Sequence, residues 1–399
     1  MQHTRHVDFP VFDSDMHYYE DEDAFIRFVP KNMQKRCMQW AHINGKKRLL
    51  VAGTVNRFIP NPTWDPIARP GSLDDYFRGK NTGGVDVKTM FGELDPLSEH
   101  PEYQDRDARL AVMDAQGVEA AFFFPTLAVG MQRSLAHDLD ALTTAFAAFN
   151  RWMLEDWGFD YQNRIFAAPV LSLADVDKAV EQVEFAIDNG ARMVCMVPGP
   201  VPTADGNLSP AWPTFDPVWA RIAEAGLTVG IHGGDGGMQA YVANWEPAGA
   251  MQAFRATPFG MTATHERQIG DTMAAFICHG LYDRFPSLRV ATIENGGMWV
   301  PHVLRELQIT FGKMPQEFAR NPVESFCEHV WVSPFFEDDL PLLKDLIGAD
   351  HLLFGSDWPH AEGLADPTAF VHDIPGFSPE ERQKVMHDNA WQIATRQPA

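Results

Sequence analysis

Cysteine is scarce in this 399-residue chain, with Cys37, Cys195, Cys278 and Cys327 making up the whole set. Their scattered positions offer neither paired disulfide spacing nor a Cys-x-x-Cys ligand frame, which excludes a zinc ribbon and fits reduced thiols in a cytoplasm. Positive charge is also scarce. Lys plus Arg number 32 against 54 Asp plus Glu, for a formal charge of −22. Such a field repels phosphates and anionic lipid surfaces, so neither nucleic acid nor membrane is an expected partner, and a small-molecule substrate is. Long apolar runs are missing, and the N-terminal MQHTRHVDFPVFDSDMH has no apolar core of a signal peptide. A soluble, cytoplasmic protein is expected.

Two nucleotide-binding signatures are missing too. No Gly-x-Gly-x-x-Gly follows an early strand, and no Gly-x-x-x-x-Gly-Lys-Ser/Thr occurs, which argues against an open doubly wound sheet. Hydrophobic residues make up 45% of the chain, enough for a large core. Short Val-, Ile- and Phe-rich runs lie at 11–17, 118–125, 164–170, 192–198, 227–232, 288–294, 329–335 and 351–359. Between them fall stretches of helical period, such as 138–157, 173–190 and 215–226. Eight strand-like runs alternating with helices predict an α/β fold of the (β/α)8 TIM-barrel type. The exception is 38–104, where Pro60, Pro62, Pro66 and Pro70 interleave with Trp64, Phe77 and Phe91. This stretch reads as a long insertion after strand 1 that lies over the C-terminal face of a single domain spanning 1–399.

In such a barrel the C-terminal ends of the strands converge on one mouth. Strand one ends in Asp13-Ser14-Asp15-Met16-His17, and a period of two places Asp13, Asp15 and His17 on one side. Strand five ends at His232 before glycines, strand six at Glu294, and strand eight at Asp357 in FGSDWPH. Carboxylates and imidazoles gathered there need a counter-charge, because burying an unpaired ion costs several kcal/mol. A divalent cation supplies one, with zinc, manganese or iron all suited to imidazole and carboxylate ligands.

DSDMHYYE, GIHGG, LYDRFPSLRVATIENGGMWVP, FGSDWPH and DNAWQIA, taken in order, resemble the amidohydrolase superfamily. The likeness is to its amidohydrolase-related branch, which includes aminocarboxymuconate semialdehyde decarboxylase. The resemblance implies that Asp15 and His17 form the strand-one pair, that His232 is the strand-five ligand, and that Asp357 is a strand-eight carboxylate that binds metal, takes up a proton, or does both. Three departures stand out. Asp15-x-His17 replaces the His-x-His of many relatives, which tilts the site toward a harder ion such as manganese. Strand four, RMVCMVP, has no lysine to bridge two metals, so one divalent ion is expected. Glu294 stands where known decarboxylases of the branch carry a histidine.

The expectation from these residues is a mononuclear metal-dependent hydrolase in which metal-activated water attacks a small, partly apolar substrate. Asp357, Glu294 or His360 would move protons, and Arg57, Arg69 and Trp358 are candidates for binding substrate. The alternative is a non-oxidative decarboxylase of a small aromatic or unsaturated carboxylic acid. His279, at a helix end, is a weaker candidate for the pocket. Paired barrels in similar proteins imply a homodimer.

Overall fold

The computed structural model describes residues 4–56, 59, 61–247, 257–264 and 266–396. Val11–Tyr18 (β1) is buried at all eight positions, although Asp13, Ser14, Asp15 and His17 are polar. A strand covered on both faces must find partners for such groups within the protein. β1 pairs in parallel with Val118–Pro125 (β2), which places His17 opposite Phe124, and β2 pairs with Ile165–Ala167 (β3). A second parallel sheet holds Met193–Met196 (β4), Thr228–His232 (β5), Arg289–Ile293 (β6) and Val330–Val332 (β7), each beside the next. Single parallel bridges, Val170 to Cys195, Val332 to Leu352 and Met16 to Trp358, join the sheet ends. The result is a TIM-barrel-like α/β fold whose two ladders do not run into one continuous sheet.

The eighth run requires a correction. Residues 351–359 form no ladder strand; they lie between β7 and β1 through the bridges at Leu352 and Trp358 and through single hydrogen bonds, such as Leu353 N to Val332 O and Ser14 N to Phe354 O at 2.8 Å each. Local geometry explains this: Asp357 has φ 57°, and Pro359 has no amide hydrogen to donate. Gly355 is required at its position, because an added Cβ would lie 2.7 Å from both Asp15 Cβ and Ser333 Oγ.

The helices follow their sequence periods to within three residues, as Leu139–Asp156, Val176–Asp188 and Asp216–Ala225. Asp138 and Asp175 cap the first two by accepting from Ala141 N and Lys178 N, and Gly226, at φ 64°, ends the third. Phe12, Phe122, Phe166 and Trp391 pack with ring centroids 5.0–6.1 Å apart in the core. The Pro-rich stretch contains an antiparallel sheet, Met38–Ile43, Lys46–Val51 and Thr54–Val55, and a short pair, Ile67–Ala68 with Leu94–Asp95. It touches the segment after Asp357 directly, since Gly71 N and Leu73 N donate to His360 O and Ala361 O at 3.3 and 2.8 Å. No described helix is long and apolar enough to cross a membrane.

Candidate metal centre

Three strand ends and one loop bring the charged groups together. Asp15 and His17 lie two residues apart on β1, His232 ends β5, and Glu294 follows β6 with φ 52°. A glutamate in the left-handed region is an outlier of the kind found at functional sites, at a cost of about 1–3 kcal/mol. His17 Nε2 lies 3.3 Å from Asp15 Oδ1, 3.6 Å from Glu294 Oε2 and 3.3 Å from Asp357 Oδ1. His232 Nε2 lies 3.5 Å from Asp15 Oδ1 and 3.2 Å from Glu294 Oε2. One ligand atom from each of Asp15, His17, His232 and Glu294 falls within 4.8 Å of all the others.

Both Nε2 atoms and Asp15 Oδ1 are buried without a hydrogen-bond partner among the described residues. Orphaned buried donors and acceptors are expensive, and a divalent cation satisfies all of them at once. The chemistry of the set suits such an ion, with two imidazoles and two carboxylates. His232 Nδ1 sits 2.8 Å from Gly233 O. That contact fixes the proton on Nδ1 and leaves the Nε2 lone pair facing the cluster.

The electrostatics agree. Burial pushes the Asp15 carboxyl up, but His17 and His232 outweigh it and hold the group at about 2. Burial pushes the His17 imidazole down, but Asp15 and Glu294 outweigh it and raise the group to about 10. Without an ion, a proton on His17 does the cation's work.

Asp357 lies at the edge of this set, its backbone N donating to Asp15 O at 2.8 Å. Its Oδ1 is 2.6 Å from His360 Nδ1, and His360 Nε2 is 3.0 Å from Thr126 Oγ1. The Thr126 hydroxyl donates its single hydrogen to Tyr18 O at 2.8 Å, so toward His360 it can only accept. His360 therefore carries its hydrogen on Nε2, and the contact between Nδ1 and Asp357 must hold one further proton. Burial, then the charge of Glu294, pushes the Asp357 carboxyl well above its usual range, while burial and His17 push His360 well below its own. That proton belongs on Asp357 Oδ1, shared with His360 Nδ1.

The remaining candidates are dispersed. Asp13 Oδ1 accepts from the backbone N of Asp15 and of Ser356, at 3.0 Å each, and burial raises its carboxyl to about 7. Trp358 is buried, with Arg109 Cζ 4.5 Å from its ring and Tyr103 edge-on at 5.3 Å. Arg69 is an exposed residue engaged by Asp95 and Glu93 at 2.8 and 3.3 Å. His279 ends the helix Arg267–Cys278 and bonds Ser209 Oγ at 2.8 Å. Arg57 lies outside the described residues. Two residues were not singled out from the sequence. Thr126 carried no signal there, because its role depends on the fold. Glu362 had one, as a carboxylate five residues past Asp357 in SDWPHAEG, and its carboxylate lies within 4.8 Å of those of Glu294 and Asp357.

A family model described as amidohydrolase matches residues 12–393. Among solved structures, an amidohydrolase from Mycobacterium avium subsp. paratuberculosis K-10 is 43% identical, with a TM-score of 0.93 over 98% of this chain and 100% of that one. A dihydroxybenzoic acid decarboxylase from Polaromonas sp. JS666, solved with bound manganese and 2-nitroresorcinol, is 17% identical, with a TM-score of 0.57 over 81% of this chain and 92% of that one. A 2-amino-3-carboxymuconate-6-semialdehyde decarboxylase from Dictyostelium discoideum is 24% identical over 131 residues, or 32% of this chain. That match spans only 36% of the curated relative's length. With its ordered motifs, its fold and a family match over nearly its whole length, the chain belongs to the amidohydrolase family.

Proposed function

We propose that this protein is a metal-dependent, non-oxidative decarboxylase of a small aromatic or unsaturated carboxylic acid. The observation that carries the reading is the pairing of a cation-shaped cluster, Asp15, His17, His232 and Glu294, with a proton held next to it between Asp357 and His360. Decarboxylation exchanges carbon dioxide for a proton on carbon, so such a site needs a positive anchor and an acid close together. The names of the relatives lean the same way, since both the manganese-bound structure and the curated relative are decarboxylases. They replace hydrolysis as the leading expectation.

A divalent ion, manganese or zinc, would supply the charge that holds the substrate carboxylate and an adjacent oxygen. Asp15, His17, His232 and Glu294 would hold that ion. Asp357 Oδ1 would deliver its proton to the carbon that loses carbon dioxide, and His360, anchored through Thr126, keeps the carboxyl aimed. Residues 38–104 belong to the same proposal as a cover over the mouth, because Gly71 and Leu73 bind the backbone at His360 and Ala361, and Trp64 stacks on Tyr19 at 4.7 Å.

Glu294 favours a second reading. Its side chain is 28% exposed, the most open of the four, and a carboxylate there could serve as a base for water in hydrolysis. One experiment separates the two. Manganese-loaded protein is given a panel of aromatic and unsaturated acids, amides, esters and lactones in 18O-labelled water. Carbon dioxide release without 18O in the organic product supports the decarboxylase. Label in a new carboxylate or alcohol, without carbon dioxide, overturns it.

A further inference from the structure

Tyr19 directly follows β1, one pleat beyond His17, and its ring contacts place it on the same side. His360 stacks on His17 with centroids 4.0 Å apart, Tyr19 stacks on His360 at 5.8 Å, and Trp64 stacks on Tyr19 at 4.7 Å. Four rings thus run from His17 out to the Pro-rich stretch. Tyr103 adds an edge-on contact to Tyr19 at 5.5 Å. Trp64 is buried and has φ 56°, a strained backbone for a bulky side chain that persists only where the surrounding structure enforces it.

The ring of Tyr19 is well held, but its hydroxyl is not. The residue is 6% exposed, yet the hydroxyl bonds none of the described residues, and an unpaired buried hydroxyl is costly. Tyr18 also has an unpartnered hydroxyl, but its ring lies on the other side of the chain, stacked on Trp157 at 5.0 Å and 5.7 Å from Trp152. Tyr19 instead stands at the mouth. Burial, and after it the charges of Tyr103, Glu362 and Asp357, push its phenol up, and the carboxylates of Glu362 and Asp357 lie together with that of Glu294. An acid held there needs donors for its oxygen atoms, and ionised carboxylates can only accept. Arg69 is engaged by Asp95 and Glu93, and Arg109 is fully buried against the Trp358 ring.

We propose that Tyr19 is a substrate-binding residue whose hydroxyl donates a hydrogen bond to an oxygen of an acid held on the ion, and that Trp64 positions it by packing on its ring. This rests on the acid substrate proposed above and not on the fate of that acid, so the contact and the reaction can fail separately. The Pro-rich stretch thereby contributes to recognition through a residue that need not touch the substrate itself.

The test is calorimetric titration of the full, Mn2+-loaded chain with salicylate and with cinnamate. Tyr19→Phe removes the hydroxyl and keeps the ring, and it should weaken the tighter-binding acid by about 10- to 100-fold with the affinity for Mn2+ unchanged. Trp64→Ala should weaken the same acid by about 2- to 10-fold, and Trp64→Phe should restore most of that loss. In a Tyr19→Phe background Trp64→Ala should cost nothing further, because its effect runs through the hydroxyl. Circular dichroism checks that the variants are folded. Wild-type affinity in Tyr19→Phe overturns the proposal, and an undiminished loss from Trp64→Ala in that background overturns the role of Trp64. A wild type that binds neither acid overturns the acid substrate itself, and the contact with it.

Discussion

At the scale of single residues, the site's behaviour turns on where protons sit. In the absence of an ion, His17 is held charged by Asp15 and Glu294, with its pKa raised to about 10. Metal can bind Nε2 only after that proton leaves. Addition of Mn2+ to chelator-stripped protein near pH 7.5 in weak buffer should release close to one proton per ion bound at this position, as read by a pH indicator. The sign for affinity follows: binding weakens as pH falls, because protons and metal compete for the same nitrogen. A calorimetric titration in which the binding enthalpy does not vary with the ionisation enthalpy of the buffer would contradict this, because it would mean that no proton is released. Asp357 is the second case. Asp357→Asn keeps the shape of the side chain but cannot carry a transferable proton between Oδ1 and His360 Nδ1. Turnover should drop by about 10²–10⁴-fold, measured as carbon dioxide release, with the circular dichroism spectrum unchanged.

At the scale of elements, the site depends on a few close approaches that keep irregular backbone in place. The segment after β7 crosses β1 so tightly that Gly355 packs against Asp15 and Ser333. Gly355→Ala should cost about 1–3 kcal/mol through overpacking and displace the Asp15 carboxylate, weakening Mn2+ binding. Chemical denaturation and metal titration on the same sample would check both effects. The seven ladder strands and the main helices were legible because their apolar spacing is local information. So was the convergence of Asp15, His17, His232 and Glu294 on one mouth, since each stands at the C-terminal end of a recognisable strand, although the sequence points to Asp357 as the fourth ligand and to Glu294 as a catalytic group, whereas Glu294 completes the four-atom cluster and Asp357 lies beside it. The eighth run was misread as a strand. Leu352, Leu353 and Phe354 are apolar and buried, but the positive φ of Asp357 is a tertiary compromise that composition does not reveal. The Pro-rich stretch also holds a small antiparallel sheet that was passed over despite a local signal: Asn44-Gly45, both at positive φ, join its first two strands as a two-residue hairpin turn. Glu362 was missed because it lies beyond a proline turn, where no strand period leads to it.

At the scale of the whole molecule, the excess of acid over base becomes a question of stability. A formal charge of −22 makes compaction compete with self-repulsion, and burial holds several carboxyls above their usual pKa. Glu266, half-buried, is one that lies outside the metal cluster. Its Oε1 accepts from Met298 N at 3.3 Å, and burial, followed by the charge of Asp338, raises its carboxyl from 4.5 to about 7. Between those two values the folded state binds more protons than the unfolded state, so this group makes stability fall as pH rises from about 4.5 to about 7, and adds no slope above that. Glu266→Gln keeps a carbonyl oxygen for Met298 and removes the titration. Partial exposure screens the effect, which reduces it to the order of 1 kcal/mol. Urea denaturation of wild type and variant at pH 5 and pH 8, with chelator present to exclude metal effects, should show Glu266→Gln gaining stability relative to wild type at pH 8 but not at pH 5. An equal difference at both values would mean that the Glu266 carboxyl already ionises at its ordinary pKa in the folded protein, and that the acidic excess is tolerated here through solvent rather than through retained protons.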